Sequence, residues 1–193
     1  MIIMRRPLSN NSFHGFTLLE LLITLSITAI LFAVSTPSFK EMILESQAES
    51  TINHIARLIR LARNIAVTQA TTSTLCPSID GKYCNGAWED GVMLFTDRNK
   101  NNIVDEKDVV VQFLQPFIDQ GNLRLKSMRN LIQFSAQGTP QGTIGSFIYC
   151  PSDKSLRHAK TLILSFQGRL RRGYDFNKDG IEETGNHKNI SCT

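Results

Sequence analysis

The chain lacks the short motifs by which most enzymes and metal-binding proteins are recognised. It has no Gly-rich phosphate-binding loop, no Rossmann glycine pattern and no GxSxG sequence. Its four cysteines form no CxxC pair, and no histidine lies at zinc-finger spacing from them. The four histidines have no nucleophile or carboxylate partner at motif spacing: His14, His54, His158 and His187. We therefore expect a protein that is not an enzyme and that has no cofactor and no metal centre.

Long hydrophobic runs are also scarce, with one exception at residues 16–34. The mean hydropathy of the whole chain is only -0.11, because this nearly continuous apolar run is followed by ordinary soluble sequence. A helix over residues 16–37 would be about 30 Å long at a rise of about 1.5 Å per residue, which matches a bilayer core. Arg5 and Arg6 precede it, which favours a cytoplasmic N-terminus. We expect residues 16–37 to be a transmembrane and assembly helix.

The position of Gly15 distinguishes this segment from an ordinary secretory signal, whose small-residue cleavage site follows the apolar run. Cleavage after Gly15 would remove residues 1–15, keep the helix and create a new α-amine at Phe16. In an assembly of parallel helices, the carboxylate of Glu20 can pair with the Phe16 amine of a neighbouring subunit. The alternative is a plain single-pass anchor with Glu20 near the lipid headgroups.

The segment HGFTLLELLITLSI resembles the class III signal and N-terminal helix of type IV pilins and type II secretion pseudopilins. The resemblance implies that a prepilin peptidase cleaves after Gly15 and methylates Phe16, that Glu20 serves assembly, and that Pro37 loosens the helix. It also implies a protein of the bacterial inner membrane with a periplasmic C-terminal domain. Such a protein then joins other major and minor pilins in a fibre at the cell surface.

The remainder of the chain predicts an α+β fold. Apolar residues recur every three or four positions over residues 38–70, which predicts an amphipathic half of the same helix. Over residues 71–173, β-branched and aromatic runs bounded by Gly, Pro, Asn and Asp predict antiparallel strands. We expect a long N-terminal helix packed on antiparallel β-sheet, with residues 174–193 as a C-terminal tail.

The order of four segments resembles the FimT/GspH branch of minor pilins and minor pseudopilins, over roughly residues 55–173. The segments are RLARNIAVTQATTSTLCPS, WEDGVMLFTDRNKN, IQFSAQGTPQGTIGSFIYC and TLILSFQGRLR. This second resemblance implies a type IV pilin-like fold, and it leaves open whether the host assembly is a pilus or a type II secretion pseudopilus.

The even number of cysteines favours disulfides in an exported domain. Four cysteines allow three pairings. Cys76 and Cys84 close a short loop that contains the turn-forming Asp80-Gly81 pair, so we predict the pairs Cys76–Cys84 and Cys150–Cys192. The alternative is buried free thiols.

Positive charge is concentrated in one segment, although the formal net charge of the chain is only +4. Between Asp153 and Asp175 there is no acidic residue, and the basic residues there are Lys154, Arg157, Lys160, Arg169, Arg171 and Arg172. In an extended chain, Arg169 and Arg171 point to the same side, and each guanidinium can hold one phosphate. Gly168 lets the backbone approach a bulky polyanion.

The sequence GRLR also resembles the GRxR motif of FimT-type DNA-binding minor pilins, with Gly168, Arg169 and Arg171 at the matching positions. It implies sequence-independent binding of double-stranded DNA for natural transformation. The candidate contact residues are Arg157, Lys160, Gly168, Arg169, Arg171 and Arg172. The alternative is a structural priming or tip subunit that does not bind DNA. The helix arginines are expected to form a solvated face without a role in binding: Arg57, Arg60 and Arg63.

Two acidic loops, at residues 97–108 and 175–183, partly match calcium-binding loops. Their candidate ligands are Asp97, Asn99, Asn101, Asp175, Asn177 and Asp179. The first loop lacks the turn glycine, and the second has Asn186 where a bidentate Glu is expected. Turns rich in Asn and Asp explain both loops equally well, and we expect no metal site.

The Gly15 site generates a prediction about processing. A Gly15→Val protein should keep its leader when it is expressed with a prepilin peptidase, because a side chain at this position should not fit a tight peptidase site. Mass spectrometry of the intact protein measures the outcome. Normal maturation of the variant would contradict a class III signal.

Overall fold

The computed structural model describes residues 15–115, 121–142 and 144–192, with only the backbone described at 34–38. The predicted leader therefore lies outside the described residues except for Gly15, and so does the side chain of Pro37. The described residues form one helix and eight strands. The chain divides into two units, residues 1–40 and 41–193.

In the first unit, the helix α1 (Leu18–Thr68) begins with a side-chain cap. The hydroxyl oxygen of Thr17 accepts the backbone N–H of Glu20 at 3.2 Å, as an N-cap residue does. Glu20 lies in the first turn, where a negative charge interacts favourably with the helix dipole. The sequence TLLE therefore gives Glu20 a local role at the helix N-terminus as well as its predicted role in assembly.

The polar residues inside the apolar run form hydrogen bonds within the helix. The hydroxyls of Thr24, Ser26 and Thr28 donate to the carbonyl oxygens of Leu21, Leu22 and Leu25, at 2.8–2.9 Å. Each hydroxyl is thus satisfied by the turn that precedes it.

The predicted membrane span is not confirmed by the described residues. In that part of the chain, no helix is long and apolar enough to cross a membrane.

In the second unit, two antiparallel sheets follow the helix. The strands are β1 (Ser73–Pro77), β2 (Val92–Thr96), β3 (Val110–Leu114), β4 (Asn122–Lys126), β5 (Ile132–Phe134), β6 (Gly145–Cys150), β7 (Lys160–Leu164) and β8 (Leu170–Arg172). The first sheet has the order β3-β2-β1-β5, and the second has the order β4-β6-β7-β8. The α+β fold is as predicted.

The apolar face of α1 and both sheets share one hydrophobic core. Ile52, Ile55 and Ile59 of the helix are at most 1% exposed and belong to the same cluster as Leu75 of β1 and Phe147 of β6. Ser73 adds a polar contact, since its hydroxyl donates to the carbonyl oxygen of Ala62 at 2.7 Å. The spacing of the isoleucines places them on one helix face, and this face determines where the sheets pack.

Both disulfides have the predicted pairing, Cys76–Cys84 and Cys150–Cys192. The second bond attaches the end of the chain to β6, and Ile190 nearby is only 3% exposed. The C-terminal segment predicted as a tail is therefore folded against the second sheet over the residues described, 174–192.

The shared core generates a prediction about stability. Ile52→Ala should lower the free energy of unfolding by about 2–5 kcal/mol, because it leaves a cavity in a fully buried site. Ile43→Ala is the matched control on the same helix, since Ile43 is 49% exposed, and it should cost less than about 0.5 kcal/mol. Urea unfolding of both variants measures the difference. Equal losses in the free energy of unfolding would contradict a core that buries only one face of the helix.

Candidate nucleic-acid interface

The basic sequence GRLRR lies on a β-hairpin formed by β7 and β8. At its turn, the N–H of Ser165 donates to the carbonyl of Arg169 at 3.0 Å, and the N–H of Gly168 donates to the carbonyl of Ser165 at 2.9 Å. Gly168 has φ of +76°, a left-handed conformation that glycine adopts without steric cost. The turn places Arg169 directly before the first residue of β8.

A second turn, in the first sheet, has the same SxQGx sequence and the same hydrogen bonds. Ser135 accepts the N–H of Gly138 at 2.8 Å and donates its own N–H to Thr139 at 3.0 Å. Gly138 has φ of +74°, which nearly equals that of Gly168. The sequence SAQGT therefore folds in the same way as SFQGR.

The two turns meet at Arg63 of α1. A Cβ added to Gly138 would lie 3.1 Å from Nε of Arg63, and one added to Gly168 would lie 3.4 Å from the carbonyl oxygen of Gly138. Nη1 of Arg63 donates to the carbonyl oxygen of Gly168 at 3.4 Å, a long hydrogen bond. The absence of side chains at the two glycines thus lets both turns approach the same helix residue.

An open groove of about 490 Å³ lies between α1 and the β7–β8 turn. It is lined by Ile59, Arg60, Arg63, Asn64, Val67, Phe134, Gly168, Arg169 and Leu170. Among the residues that the structure describes, none of its three arginines forms an ion pair with a carboxylate. We call this the arginine groove, after Arg60, Arg63 and Arg169. Its exposed rim carries concentrated positive charge.

The stem of the same hairpin is neutralised by the helix. Arg172 donates to both carboxylate oxygens of Glu49, at 3.0 and 2.7 Å, and to the side chain of Asn53 at 2.8 Å. Lys160 lies 2.7 Å from a carboxylate oxygen of Glu45, and its side chain is only 14% exposed. Protein carboxylates therefore already hold Arg172 and Lys160 in this structure, and DNA contact by these two cations stays a prediction.

The pKa values of this region agree with that assignment. Burial alone would lower the pKa of Lys160, but its hydrogen bond to Glu45 and the charges of Glu182, Glu45 and Glu49 raise it above the ordinary value. Burial raises the pKa of Glu182 above its ordinary value. This effect outweighs the hydrogen bond from the N–H of Thr161 at 2.7 Å, which lowers the pKa. Lys160 therefore stays charged at neutral pH, and its charge is compensated inside the protein.

Arg171 and Arg157 lie apart from the arginine groove. Arg171 is exposed on β8, and its Nη2 would lie 3.8 Å from a Cβ added to Gly185 of the C-terminal segment. Arg157 precedes the start of β7, whereas Arg169 follows its end. The two residues therefore lie at opposite ends of a five-residue strand, which spans about 13–17 Å. The single basic segment of the sequence is thus divided among several places in the fold.

The first calcium-candidate loop is closed by N–H and hydroxyl donors of the protein. Asp97 is fully buried and accepts the hydroxyl of Thr74 at 2.9 Å, the side chain of Gln133 at 3.1 Å and the N–H groups of Asn101 and Asn102. The side-chain amide of Asn99 donates to Asp105, and its oxygen accepts the N–H of Asn101 at 3.2 Å. These contacts are those of Asn/Asp turns.

The second loop behaves in the same way. Asp175 accepts the N–H groups of Asp179 and Gly180, and Asp179 accepts the side chains of Asn177 and Asn189. In the described part of the chain, no group of three or more His, Cys, Asp or Glu side chains is arranged to hold a metal ion.

Two known protein families match parts of the chain. Residues 51–168 match the family described as type II transport protein GspH, and this match covers more than half of the 193 residues. The chain belongs to the GspH family. Residues 10–36 of this GspH-family chain also match the prokaryotic N-terminal methylation motif. The resemblance inferred from sequence is therefore confirmed.

Solved structures of similar fold include the type IV minor pilin FimU of Pseudomonas aeruginosa in two crystal forms. One matches with a TM-score of 0.54 and 18% identity over 67% of this chain and 90% of FimU. The other matches with a TM-score of 0.51 and 19% identity over 65% of this chain and 92% of FimU. The minor pseudopilin EpsH of Vibrio cholerae matches with a TM-score of 0.45 and 8% identity, over 65% and 95% of the two chains. No curated protein matches the sequence.

Membership of the GspH family makes the chain a minor pilin or pseudopilin, a class whose members assemble with other pilins. The likeness to FimU shows a pilin-like fold. Arg60 and Arg63 are exposed, as expected of a solvated face, but their position beside the hairpin turn was not predicted. Their helical spacing shows only that they avoid the core, and it contains no signal of the hairpin beside them.

The contacts of Arg172 generate a prediction for this GspH-family chain. Arg172→Gln should lower the free energy of unfolding by about 0.5–1 kcal/mol, a value limited by solvent screening because the two side chains of the pair are 37% and 41% exposed. Arg169→Gln, the control on the same hairpin, should leave the stability unchanged. Urea unfolding compares the two. A loss of stability in the Arg169 variant alone would contradict the assignment.

Proposed function

We propose that this minor pilin captures extracellular double-stranded DNA through the β7–β8 hairpin and thereby supports natural transformation. The observation that carries the proposal is the contrast along the hairpin. Its stem cations Lys160 and Arg172 are held by carboxylates, whereas Arg169 and Arg171 are exposed and, within the described residues, form no ion pair. The resemblance of Gly168, Arg169 and Arg171 to the GRxR motif supports it further.

The contacts would be made to phosphates. A guanidinium can donate two parallel hydrogen bonds to a phosphate, and phosphate contacts carry no base information. The exposed aromatic side chain of the same turn is Phe166, at 75% exposure, but the bases of a duplex are stacked on one another and are not available to it as unpaired bases are. Binding should therefore be sequence-independent and strongly dependent on salt.

The proposal includes the maturation route of a type IV pilin. A prepilin peptidase would cleave between Gly15 and Phe16 and methylate Phe16, and the protein would wait in the inner membrane before it enters a fibre. Glu20 would set the register with the amine of a neighbouring subunit, in addition to its place in the first turn of α1.

A second candidate is a priming or tip subunit that does not bind DNA. The exposure of the apolar side chains at the start of α1 favours a role in assembly, since Phe16 is 80% and Leu19 is 68% exposed and both need a partner. This role requires no cations on the hairpin, and so the hairpin arginines discriminate between the two candidates.

A DNA titration of the full-length protein in a non-ionic detergent tests the proposal. Arg169→Gln or Arg171→Gln should weaken binding by about 1–2 kcal/mol, in the range of a charge-assisted contact. Each change should also lower the slope of log affinity against log salt by roughly one unit, because one fewer counterion is released. The losses should be the same for duplexes of unrelated sequence.

Arg57→Gln is the control, since Arg57 is exposed on α1 and does not line the groove. It should bind DNA as the parent does. If the Arg169/Arg171 double variant also retains parental affinity, the DNA-capture function is wrong and the structural subunit takes its place.

A further inference from the structure

We propose that Arg60 and Arg63 of α1 bind the DNA phosphate backbone together with Arg169, so that the binding site is the arginine groove rather than the hairpin alone. This inference rests on the proposed function and deepens it. Arg169 lies more than a hundred residues along the chain from Arg60 and Arg63, and the contact between Arg63 and Gly168 has a sequence separation of 105 residues.

The charge of the groove is uncompensated by its surroundings. No acidic residue occurs between Glu49 and Asp80, and no carboxylate is among the residues that line the groove. Like charges in one groove repel each other, and an anion bound between them removes that repulsion. Elsewhere on the same hairpin the protein supplies carboxylates for its cations, at Glu45 and Glu49.

The geometry of the groove suits a phosphodiester segment. Arg60, Arg63, Asn64 and Arg169 are exposed, and so their donors are accessible from solvent. A volume of about 490 Å³ between a helix and a hairpin turn admits one stretch of backbone rather than a whole duplex. The apolar floor includes buried Phe134, which offers no donor to a base edge. One strand of the duplex would therefore pass between α1 and the hairpin through its phosphates.

An isosteric change at Asn64 tests whether DNA binds in the arginine groove. Asn64→Asp places a carboxylate in the groove without changing its volume, and it should weaken DNA binding by roughly tenfold or more at low salt. Asn53→Asp is the matched control on the same helix, because Asn53 lies outside the groove and accepts from Arg172 at 2.8 Å. That control should bind DNA as the parent does.

The arginines are tested by a second matched pair. Arg60→Gln should weaken binding about fivefold to tenfold and lower the salt slope by roughly one unit, whereas Arg57→Gln should do neither. Arg60 is preferred to Arg63 for this test, because Arg63 also packs against the turns at Gly138 and Gly168. The measurement is fluorescence anisotropy with a labelled duplex and the full-length protein in a non-ionic detergent.

A double-mutant cycle identifies the shared site. If Arg60 and Arg169 hold neighbouring phosphates in one groove, the effects of their substitution on DNA affinity are coupled. The fold loss of affinity in the double variant should then differ by more than about twofold from the product of the fold losses in the two single variants. Arg60 lines the arginine groove and Arg171 does not, and so the losses of DNA affinity caused by these two changes should multiply. Full independence of Arg60 and Arg169 would overturn the shared site.

The outcomes separate this inference from the proposed function. If Arg169→Gln weakens DNA binding and neither Arg60→Gln nor Asn64→Asp does, DNA capture stands and the groove hypothesis is wrong. If none of the three variants has an effect, the groove hypothesis is wrong, and DNA capture is wrong as well if the Arg169/Arg171 double variant binds DNA as the parent does. If Arg60→Gln leaves DNA binding unchanged but lowers the incorporation of the subunit into purified fibres, the groove is a contact with a neighbouring pilin, which also overturns the inference.

Discussion

The burial of one face of α1 is the constraint on which the rest of the second unit depends. Ile52, Ile55 and Ile59 reach the core at helical spacing and contact a cluster to which both sheets contribute. Because the side chains of one helix face form a continuous stripe, the two sheets must pack along the same line. The turns at Gly138 and Gly168, which follow β5 and β7, then lie against that helix at Arg63.

The charges of α1 are sorted along its length, and this order gives the β7–β8 hairpin its two ends. Glu45 and Glu49 come first and hold Lys160 and Arg172 in the hairpin stem. Arg60 and Arg63 come later in the helix, beside the hairpin turn, where their charges add to that of Arg169. The modest net charge of +4 therefore hides a local concentration of positive charge beside the hairpin turn.

The acidic residues of the chain are largely used for the fold itself. Asp97 lies fully buried with four N–H or hydroxyl donors around it, and Asp175 and Asp179 close a surface turn in the same manner. Carboxylates that accept such hydrogen bonds no longer offer a set of free ligand oxygens for a cation. Among the described residues, the groove arginines form no ion pair with a carboxylate.

Local patterns allowed much of the fold to be predicted. The apolar spacing of α1 and the strands β1, β2, β3, β5, β6 and β7 follow from short-range periodicity and turn residues, whereas the cap at Thr17 was not predicted. The disulfide Cys76–Cys84 follows from a short spacing, and it left one partner for Cys150. Strand β4 was missed, because Leu123 and Leu125 alternate with charged residues over a length too short to give a clear signal.

Only the tertiary structure decided which of the exposed basic residues lie close together and which are paired with carboxylates. The sequence by itself determined that Arg60, Arg169 and Arg172 avoid the hydrophobic core, since each falls outside the apolar pattern of its element. It contained no information on their neighbours. Arg172 meets Glu49 at a separation of 123 residues, and the arginine groove joins α1 to the hairpin across a similar distance in the chain. Ion pairs depend on distances between side chains, and these are set by the packing of a helix on two sheets rather than by the order of residues along the chain.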